Sequence, residues 1–314
     1  MATYTTANAI GEREDLVDVI TRIDPDETPI FSNAKLETTK AVYHEWQVQE
    51  LTAANSGNAV NEGVDYSYVN PTATTRLGNY HQIAVNAASV SGTLDSVDKA
   101  GRDKETAYVK ILKGLEQRRD IEKGLGLAEA RNASDTRKAG KIISYMTNQS
   151  VISPSTTATG DGTNVSDLAG TNAALTLAKI DTAMKAAYTD GGQPDVMVVS
   201  PTNKVNFSDL NSGSAVTNQL HMTTPGEATI IGSVSMYLTD FGMLNVTIDR
   251  FTEDDRIFLM DSNYYSIGHL PGRMFSVQDV APTGDATKFA ILSEWTYIPK
   301  APKAHAWVAD LNGS

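Results

Sequence analysis

The sequence is organised around residues 102–129, which read RDKETAYVKILKGLEQRRDIEKGLGLAE. This stretch contains no proline, and its apolar residues Tyr108, Ile111, Leu112 and Leu115 recur at steps of three and four. Such spacing predicts a single α-helix with one narrow apolar stripe. At roughly 1.5 Å per residue the helix would be about 40 Å long. A helix this long with so thin a stripe needs a sheet against one side.

The charged surface of the predicted helix favours ion pairs. Arg118 and Arg119 could contact a phosphate, but carboxylates flank them on both sides. Pairing within the chain or across a subunit boundary is therefore the preferred interpretation. The pairs expected from three- and four-residue spacing are Arg118–Glu122, Glu116–Arg119 and Asp120–Lys123.

Composition excludes several classes of protein. The chain has 314 residues, 40% of them apolar and 20% charged, which suits one large folded domain or two ordinary ones. A net charge of −12 argues against a general nucleic-acid binder. The absence of cysteine excludes disulfides and thiolate metal sites. No signal peptide and no run of ~20 apolar residues is found, so we expect a soluble protein in a reducing compartment.

The first forty residues predict an arm. Glu12–Ile23 favours a short helix with one apolar face, and the prolines at 25 and 29 force a turn after it. Ile30 and Phe31 follow the turn as expected anchors.

Two alternating runs after the arm predict a long hairpin. Ala41–Leu51 places Val42, Trp46 and Val48 on one face of a strand, and Tyr80–Val90 alternates in the same way. The residues between them, 52–66 above all, are rich in Asn, Ser and Gly and predict a flexible tip. Because an isolated two-stranded ribbon is marginal in water, we expect this one to lie on a neighbouring chain.

The remainder predicts a block of helices followed by a block of strands. Ser150–Thr171 is low in bulk and indicates an extended surface segment, Ala174–Tyr188 an amphipathic helix, and the run between Pro194 and Pro201 a central strand. Clustered rather than alternating elements are typical of an α+β fold. The strands expected in the C-terminal third are Ala228–Ile231, Val234–Leu238, Leu244–Asp249, Arg256–Met260, Tyr264–His269, Phe275–Val280 and Phe289–Ile298.

We find no pattern that predicts catalysis, a cofactor or a metal. There is no phosphate-binding glycine motif and no nucleophile elbow, and the five histidines never fall at helical metal-ligand spacing. The acidic runs at Glu253–Asp255 and Asp161–Asn164 lack the ligand spacing of a calcium loop. Two further alternatives remain open at this point. One is a hydrolase with unrecognised carboxylates. The other is a surface or adhesion protein, which the missing export signal opposes.

The order of these parts resembles a known family. An E-D-L motif at Glu14–Leu16 precedes P-D-E-T-P at Pro25–Pro29, and a W-x-x-x-x-L strand follows from Trp46 to Leu51. In these features the chain is similar to the tailed-bacteriophage major capsid proteins of the HK97 fold, in the group exemplified by phage SU10. The resemblance in part order covers nearly the whole chain, and the motifs cover about the first ninety residues.

The resemblance implies a domain plan and a set of partners. The expected parts are an N-terminal arm at 1–40, an extended E-loop hairpin at 41–90, a peripheral domain with the spine helix at 91–174, an axial domain at about 175–270 and a return to the peripheral domain at 271–314. The implied product is an icosahedral head of hexamers and pentamers around double-stranded DNA. Portal and scaffold proteins, and in some heads a decoration protein, are the implied partners.

The resemblance also implies where subunits meet and where the protein is found. The expected location is the virion, with assembly in the host cytoplasm and without a membrane. An encapsulin-type compartment of the same fold is the alternative. The residues expected at subunit contacts are Phe31, Trp46, Glu62, Tyr66, Glu116, Arg118, Arg119 and Glu122.

Overall fold

The computed structural model describes residues 22–150, 157–166, 168, 173–213, 221–224, 227–229 and 235–312. They form an α+β fold, as predicted. Its helices are α1 (Pro29–Asn33), α2 (Gly92–Ser96), α3 (Glu105–Leu125), α4 (Ile142–Tyr145), α5 (Leu177–Thr189) and α6 (Pro201–Gly213). Its strands are β1 (Lys35–Thr38), β2 (Tyr43–Val48), β3 (Thr75–Tyr80), β4 (Gln82–Ser91), β5 (Asn148–Ser150), β6 (Val196–Val199), β7 (His221–Thr224), β8 (Glu227–Thr229), β9 (Met236–Thr239), β10 (Gly242–Ile248), β11 (Ile257–Met260), β12 (Tyr265–His269), β13 (Ser276–Val280), β14 (Ala286–Pro299) and β15 (Ala306–Val308). Within these ranges, no helix is both long and apolar enough to cross a bilayer.

The first sheet is built on the long strand β14. Strand β4 pairs along one edge of β14, while β12 and β13 pair along the other edge, and β1 adds to β12 in parallel. Helix α3 packs on one face of this sheet, where Lys110 lies over the ring of Phe289. The sheet that the long helix was expected to need is therefore this one.

Helix α3 is shorter than predicted, with 21 residues from Glu105 to Leu125 instead of 28. Its start is fixed from outside the helix, because the carboxylate of Asp95 accepts the main-chain N–H of Thr106 at 3.0 Å. Its end is a tight turn in which Leu127 donates to the carbonyl of Gly124 at 3.3 Å.

The predicted ion pairs of α3 are wrong, and its predicted stripe is wrong at Ile111, while Tyr108, Leu112 and Leu115 are half-buried. Ile111 is 65% exposed, whereas the buried positions include Gln117, Ile121 and Leu125, nearer the C-terminal end of the helix. Between two residues of this helix the structure shows the ion pair Lys113–Glu116 at 2.6 Å, and Lys110 pairs with Asp279 at 3.1 Å. The three predicted pairs do not occur among the described residues: Arg118 and Glu122 contact the arm instead, Arg119 lies over Phe251, and Asp120 accepts from Asn86.

The predicted hairpin is also wrong in its pairing. Strand β2 pairs with β3, and β4 pairs with β14 rather than with β2. The change of partner occurs at the buried His81, which separates β3 from β4 and donates its main-chain N–H to Val42 at 2.9 Å. One alternating run is thus divided between two sheets.

The second sheet has the strand order β5-β15-β11-β6-β10-β9, and its inner strands are covered on both faces. Val196 and Val198 face a core shared with the first sheet and α3, while Met197 and Val199 face the core beneath α5 and α6. Strand β6 lies inside the sheet, so the predicted central strand is confirmed. Helix α5 matches the predicted Ala174–Tyr188, with its predicted face turned to the second core.

The remaining predictions fall partly outside the described residues. The Glu12–Ile23 helix lies almost entirely outside them, as do parts of Ala228–Ile231 and Val234–Leu238. The described portion of Ser150–Thr171 contains no helix, but Ala158 and Ser166 are buried. That portion is therefore packed against the domain and not purely a surface segment.

Candidate assembly surfaces

The base of the β2–β3 ribbon is held firmly by the body of the protein. The Arg131 guanidinium donates to the hydroxyl of Tyr43 and, at 2.6 Å, to the carbonyl of Gly78. The same carbonyl accepts the hydroxyl of Tyr145 at 2.9 Å. Burial raises the pKa of Tyr145 well above its ordinary value, so this hydroxyl remains a donor. A side chain at position 78 would stand 2.5 Å from the Tyr43 hydroxyl, which explains the glycine.

Two buried polar side chains fix the end of the ribbon. Asn79 donates to the carbonyls of Gly140 and Tyr297 at 3.0 and 2.8 Å, and its own oxygen accepts the N–H of Gly140 at 2.8 Å. His81 lies 2.7 Å from the hydroxyl of Thr39, and burial lowers its pKa. These contacts tie the ribbon to the arm and to β14.

Beyond this base the loop is bare. Every residue from 49 to 74 is exposed, including large apolar side chains such as Leu51 (97%) and Tyr68 (92%). The charged residues of this loop are Glu50, Glu62 and Asp65, all acidic. At the root, Glu50 accepts from Lys303 at 2.8 Å. A soluble monomer rarely leaves so many large apolar side chains in solvent, so this loop has the character of a contact segment.

A second bare surface lies on the first sheet. Helix α3 covers one face of β4 and β14, whereas Ile83 and Val85 project from the other face and are exposed. Ala290 and Leu292 stand opposite Ala87 and Val85 in the register and are half-buried beside them. The result is an uncovered apolar sheet face on the same chain that carries the bare loop.

The arm is attached to α3 through Glu122. Its two carboxylate oxygens accept the main-chain N–H groups of Ile30 and Phe31 at 2.6 and 2.8 Å, which caps the first turn of α1. Arg118, one turn earlier, donates to the hydroxyl of Ser32 at 2.7 Å and lies over the ring of Phe31. The arm segment 29–33 is therefore part of the folded body.

The Glu122 carboxylate is in an unusual electrostatic environment. Burial, and to a smaller extent the nearby Asp249, raise the pKa of Glu122 to about 7, although the two N–H donors and Arg118 oppose this rise. Desolvation of the charged form therefore outweighs its hydrogen bonds. Glu122 changes charge near neutral pH at the joint between arm and spine helix.

Several residues predicted at subunit contacts are instead internal. Phe31 and Glu122 are corrections, because both are buried in their own chain. Trp46 is half-buried, with its ring 6.0 Å from that of Tyr145. Arg118 contacts the arm, as described, and Arg119 lies over Phe251.

The other predicted contact residues face solvent. Glu62 and Tyr66 are exposed in the bare loop, and Glu116 pairs with Lys113 on the spine helix. The structure brings Phe31, Arg118 and Glu122 together, but it does not join them to the loop residues.

Sequence reasoning missed the residues that orient the loop. Gly78, Asn79 and Arg131 were not singled out, because polar residues without a motif carry no local signal. The run TRLGNY at 75–80 offers one local signal: a glycine followed by an asparagine stands just before the strand in which apolar and polar residues alternate. That signal indicates an interrupted strand and would have separated β3 from β4.

The described residues offer no clear chemical site. They contain no group of three acidic or histidine side chains able to hold a metal. The buried Glu294 is paired with Arg137 at 3.0 Å and with Arg273 at 2.5 Å, so its charge is balanced within the fold. The predicted acidic turn at Asp161 is satisfied within the turn by Thr159 and Thr163.

Comparisons with known proteins show which chains this one is similar to. The sequence profile of the SU10 major capsid protein family matches residues 2–312. The major capsid protein of Escherichia phage Phieco32 is 26% identical over 305 residues, covering 93% of this chain and 85% of that protein.

Solved structures show the fold. The capsid asymmetric unit of cyanophage A-1(L) superposes with a TM-score of 0.68 at 14% identity, covering 98% of each chain. A protein of Mycobacterium phage Ogopogo gives 0.61 at 13% identity, covering 98% of this chain and 99% of that one. The SrpI encapsulin of Synechococcus elongatus gives 0.58 at 10% identity, covering 97% and 94%. The predicted HK97-like fold is confirmed by these likenesses.

Proposed function

Because this chain belongs to the SU10 major capsid protein family, and is therefore a structural shell protein of a phage virion, we propose that its copies form hexamers and pentamers that close an icosahedral head around double-stranded DNA. The mechanism is mutual completion. Each copy carries surfaces that its own fold leaves uncovered, and adjacent copies cover them.

The observation that carries the proposal is the loop at 49–74. Its root is fixed by Arg131, Asn79 and His81, while every one of its residues is exposed. A rigid root directs the loop away from its own domain. Burial of the apolar side chains at its tip would stabilise the assembly by roughly 25 cal/mol per Å² of apolar surface. We infer that the loop lies over the adjacent copy, for which the uncovered face bearing Ile83 and Val85 is a suitable receptor.

The domain plan follows from the two sheets. We assign the first sheet with α3 to the peripheral domain, and the second sheet with α5 and α6 to the axial domain. Strand β12 pairs within the first sheet, and β15 pairs within the second. The boundary near residue 270 is therefore better drawn before Tyr265, and the final strand belongs with the axial sheet.

The proposed partners follow from the shell role. A net charge of −12 disfavours tight neutralisation of phosphates, so packaged DNA would be enclosed without sequence recognition. We further propose assembly in the host cytoplasm with portal and scaffold proteins, and with a decoration protein in some heads. We propose no catalytic role.

The phage role is favoured over an encapsulin compartment. The matching family profile and the curated relative are both phage major capsid proteins, while the encapsulin shares the fold at 10% identity.

Electron microscopy of assembly reactions tests the proposal. The full-length chain should form closed shells, tubes or capsomer rings. Replacing Tyr66, Tyr68 and Val69 with serine should abolish them without changing the circular dichroism of the subunit, because none of these side chains packs on its own domain. The control Tyr188→Ser alters an exposed aromatic outside the loop and should still assemble. A well-folded wild-type monomer at high concentration would contradict the proposal.

A further inference from the structure

One buried ring joins the arm, the ribbon and the first sheet. His81 lies between β3 and β4 and is fully buried. Its Nε2 is 2.7 Å from the hydroxyl of Thr39, which follows β1, and its Nδ1 is 3.0 Å from the carbonyl of Val42, which precedes β2. The segment that enters the ribbon therefore meets the strand that leaves it at this ring.

The hydrogen-bond partners of the ring accommodate either one or two ring protons. The carbonyl of Val42 can only accept, so Nδ1 carries a proton in both states. In the neutral ring, Nε2 accepts the hydroxyl hydrogen of Thr39. In the charged ring, Nε2 donates to the same oxygen, and the hydroxyl turns to the carbonyl of His269, 3.1 Å away. A second proton thus enters without leaving any of these polar atoms unpaired.

The charges around the ring oppose the second proton. The titratable and charged groups that act on it are His44 on β2, Arg137 from the segment before α4, and Glu294 on β14. Glu294 is already paired with both Arg137 and Arg273, so little of its charge is left to balance a charged ring. Burial above all, and then His44 and Arg137, lower the pKa of His81 and outweigh the groups that would raise it.

We propose that His81 is a pH-sensitive switch at the root of the bare loop: a second ring proton, gained in acidic solution, loosens the joint between Thr39, Val42 and β4. The inference rests on the proposed shell function and concerns the regulation of its contact loop. In neutral solution the joint is closed and the loop is held in the direction that its neighbour requires.

The direction of the response follows from the lowered pKa. The closed joint binds the second proton less readily than an open one, so closing is favoured above about pH 6.5, the ordinary value, and this preference is lost as the pH falls through the lowered pKa. The neighbouring contacts of Asn79 and of Arg131 with Gly78 do not titrate in this range. Acid therefore loosens the ribbon at His81 without detaching the end of β3.

NMR titration of the full-length subunit, with its five histidines isotopically labelled, measures the switch directly. The His81 signal is identified by its loss in His81→Gln. We expect its titration midpoint to lie below 6.5. A midpoint at or above 6.5, or no titration before the subunit unfolds, would overturn the proposal.

Hydrogen exchange of the amides of Thr39 and His81, which are both bonded at this joint, measures its opening. After correction for the intrinsic rate, their exchange in dissociated wild-type subunits should rise by about threefold or more from about pH 7 to about pH 5. His81→Gln can donate and accept but cannot ionise, so its exchange should change little. The control His269→Gln, which keeps the carbonyl that Thr39 uses, should respond as the wild type does. Equal responses in wild type and His81→Gln would overturn the proposal, and His81→Asn replaces the variant if it fails to fold.

Assembly at the two pH values separates the switch from the shell function itself. Wild-type shells should form less readily at about pH 5 than at about pH 7, and His81→Gln should reduce this difference. Because Glu122 also responds to pH, the comparison between the two chains, and not the wild-type response alone, is the measurement. The same pH response in both chains would contradict the inference and leave the shell function intact. Failure of the wild-type chain to assemble at either pH would instead contradict the shell function.

Discussion

Replacing Glu122 with glutamine should make the stability of the chain respond differently to pH. In the native chain both carboxylate oxygens accept N–H groups of α1 and the side chain is buried. Glutamine has nearly the same shape but offers one acceptor oxygen and cannot ionise. The variant therefore loses one hydrogen bond, worth about 1 kcal/mol, and loses the titration as well.

The size of the effect follows from proton linkage. The pKa of Glu122 is about 7 in the folded chain against an ordinary value of 4.5. Because the folded state binds the proton more tightly, this group stabilises the fold fully at low pH, and the contribution is lost as the pH rises from about 4.5 to about 7. These two values give a loss of about 2.5 kcal/mol between about pH 5 and about pH 8.

Denaturant unfolding of dissociated subunits at both pH values measures this difference. The wild type should exceed Glu122→Gln by about 1 kcal/mol at the lower pH and fall about 1.5 kcal/mol below it at the higher pH. The control Glu116→Gln, on the same helix but partly exposed beside Lys113, should shift little at either pH. If the stability difference between wild type and Glu122→Gln is the same at both pH values, the assignment of a buried titrating carboxylate is refuted.

Other substitutions test the packing that positions the assembly surfaces. Asn79→Ala should destabilise the subunit by about 3 kcal/mol in denaturant unfolding, because the carbonyls of Gly140 and Tyr297 and the N–H of Gly140 stay buried without their partner. The control Asn86→Ala breaks an exposed hydrogen bond to Asp120 and should cost less than about 0.5 kcal/mol. Gly192→Ala would place a methyl group 2.5 Å from the backbone of Ala304 and should cost about 2 kcal/mol. Gly114→Ala, inside α3 and 3.9 Å from the nearest side chain, should instead raise stability by about 0.5–1 kcal/mol, and an unchanged or lower melting temperature would contradict this.

The sequence predicted well the elements whose periodicity is complete within one segment. Helix α5 shows its buried face at Ile180, Met184 and Ala187, and β6 is apolar on both faces because both are covered. In each case the residues themselves carry the pattern, so no knowledge of distant partners is required.

The spine helix shows why other predictions were wrong. Gln117 and Glu122 are polar, yet both are buried, because their partners arrive from far along the chain: the carbonyl of Ala84 for one and the N–H groups of α1 for the other. Hydropathy cannot reveal such partners. It therefore placed the buried stripe at Ile111, which is exposed, and assigned Arg118 and Glu122 to each other.

The ribbon shows a second limit. Alternation continues across His81, so the pattern alone joins β3 and β4 into one run. Only the burial of His81 against the arm shows that the strand changes sheets there. The bare loop, by contrast, was expected from its composition, although the contacts at its root were not.

Hydrogen exchange of the loop, compared between dissociated subunits and assembled shells, measures whether one copy covers the loop of another. We expect main-chain amides from 49 to 74 to exchange freely in dissociated subunits and to become strongly protected in assembled shells, while those of Thr75–Tyr80 are protected in both states. Equal protection of the loop in both states, or free exchange in both, would contradict the claim that one copy completes another.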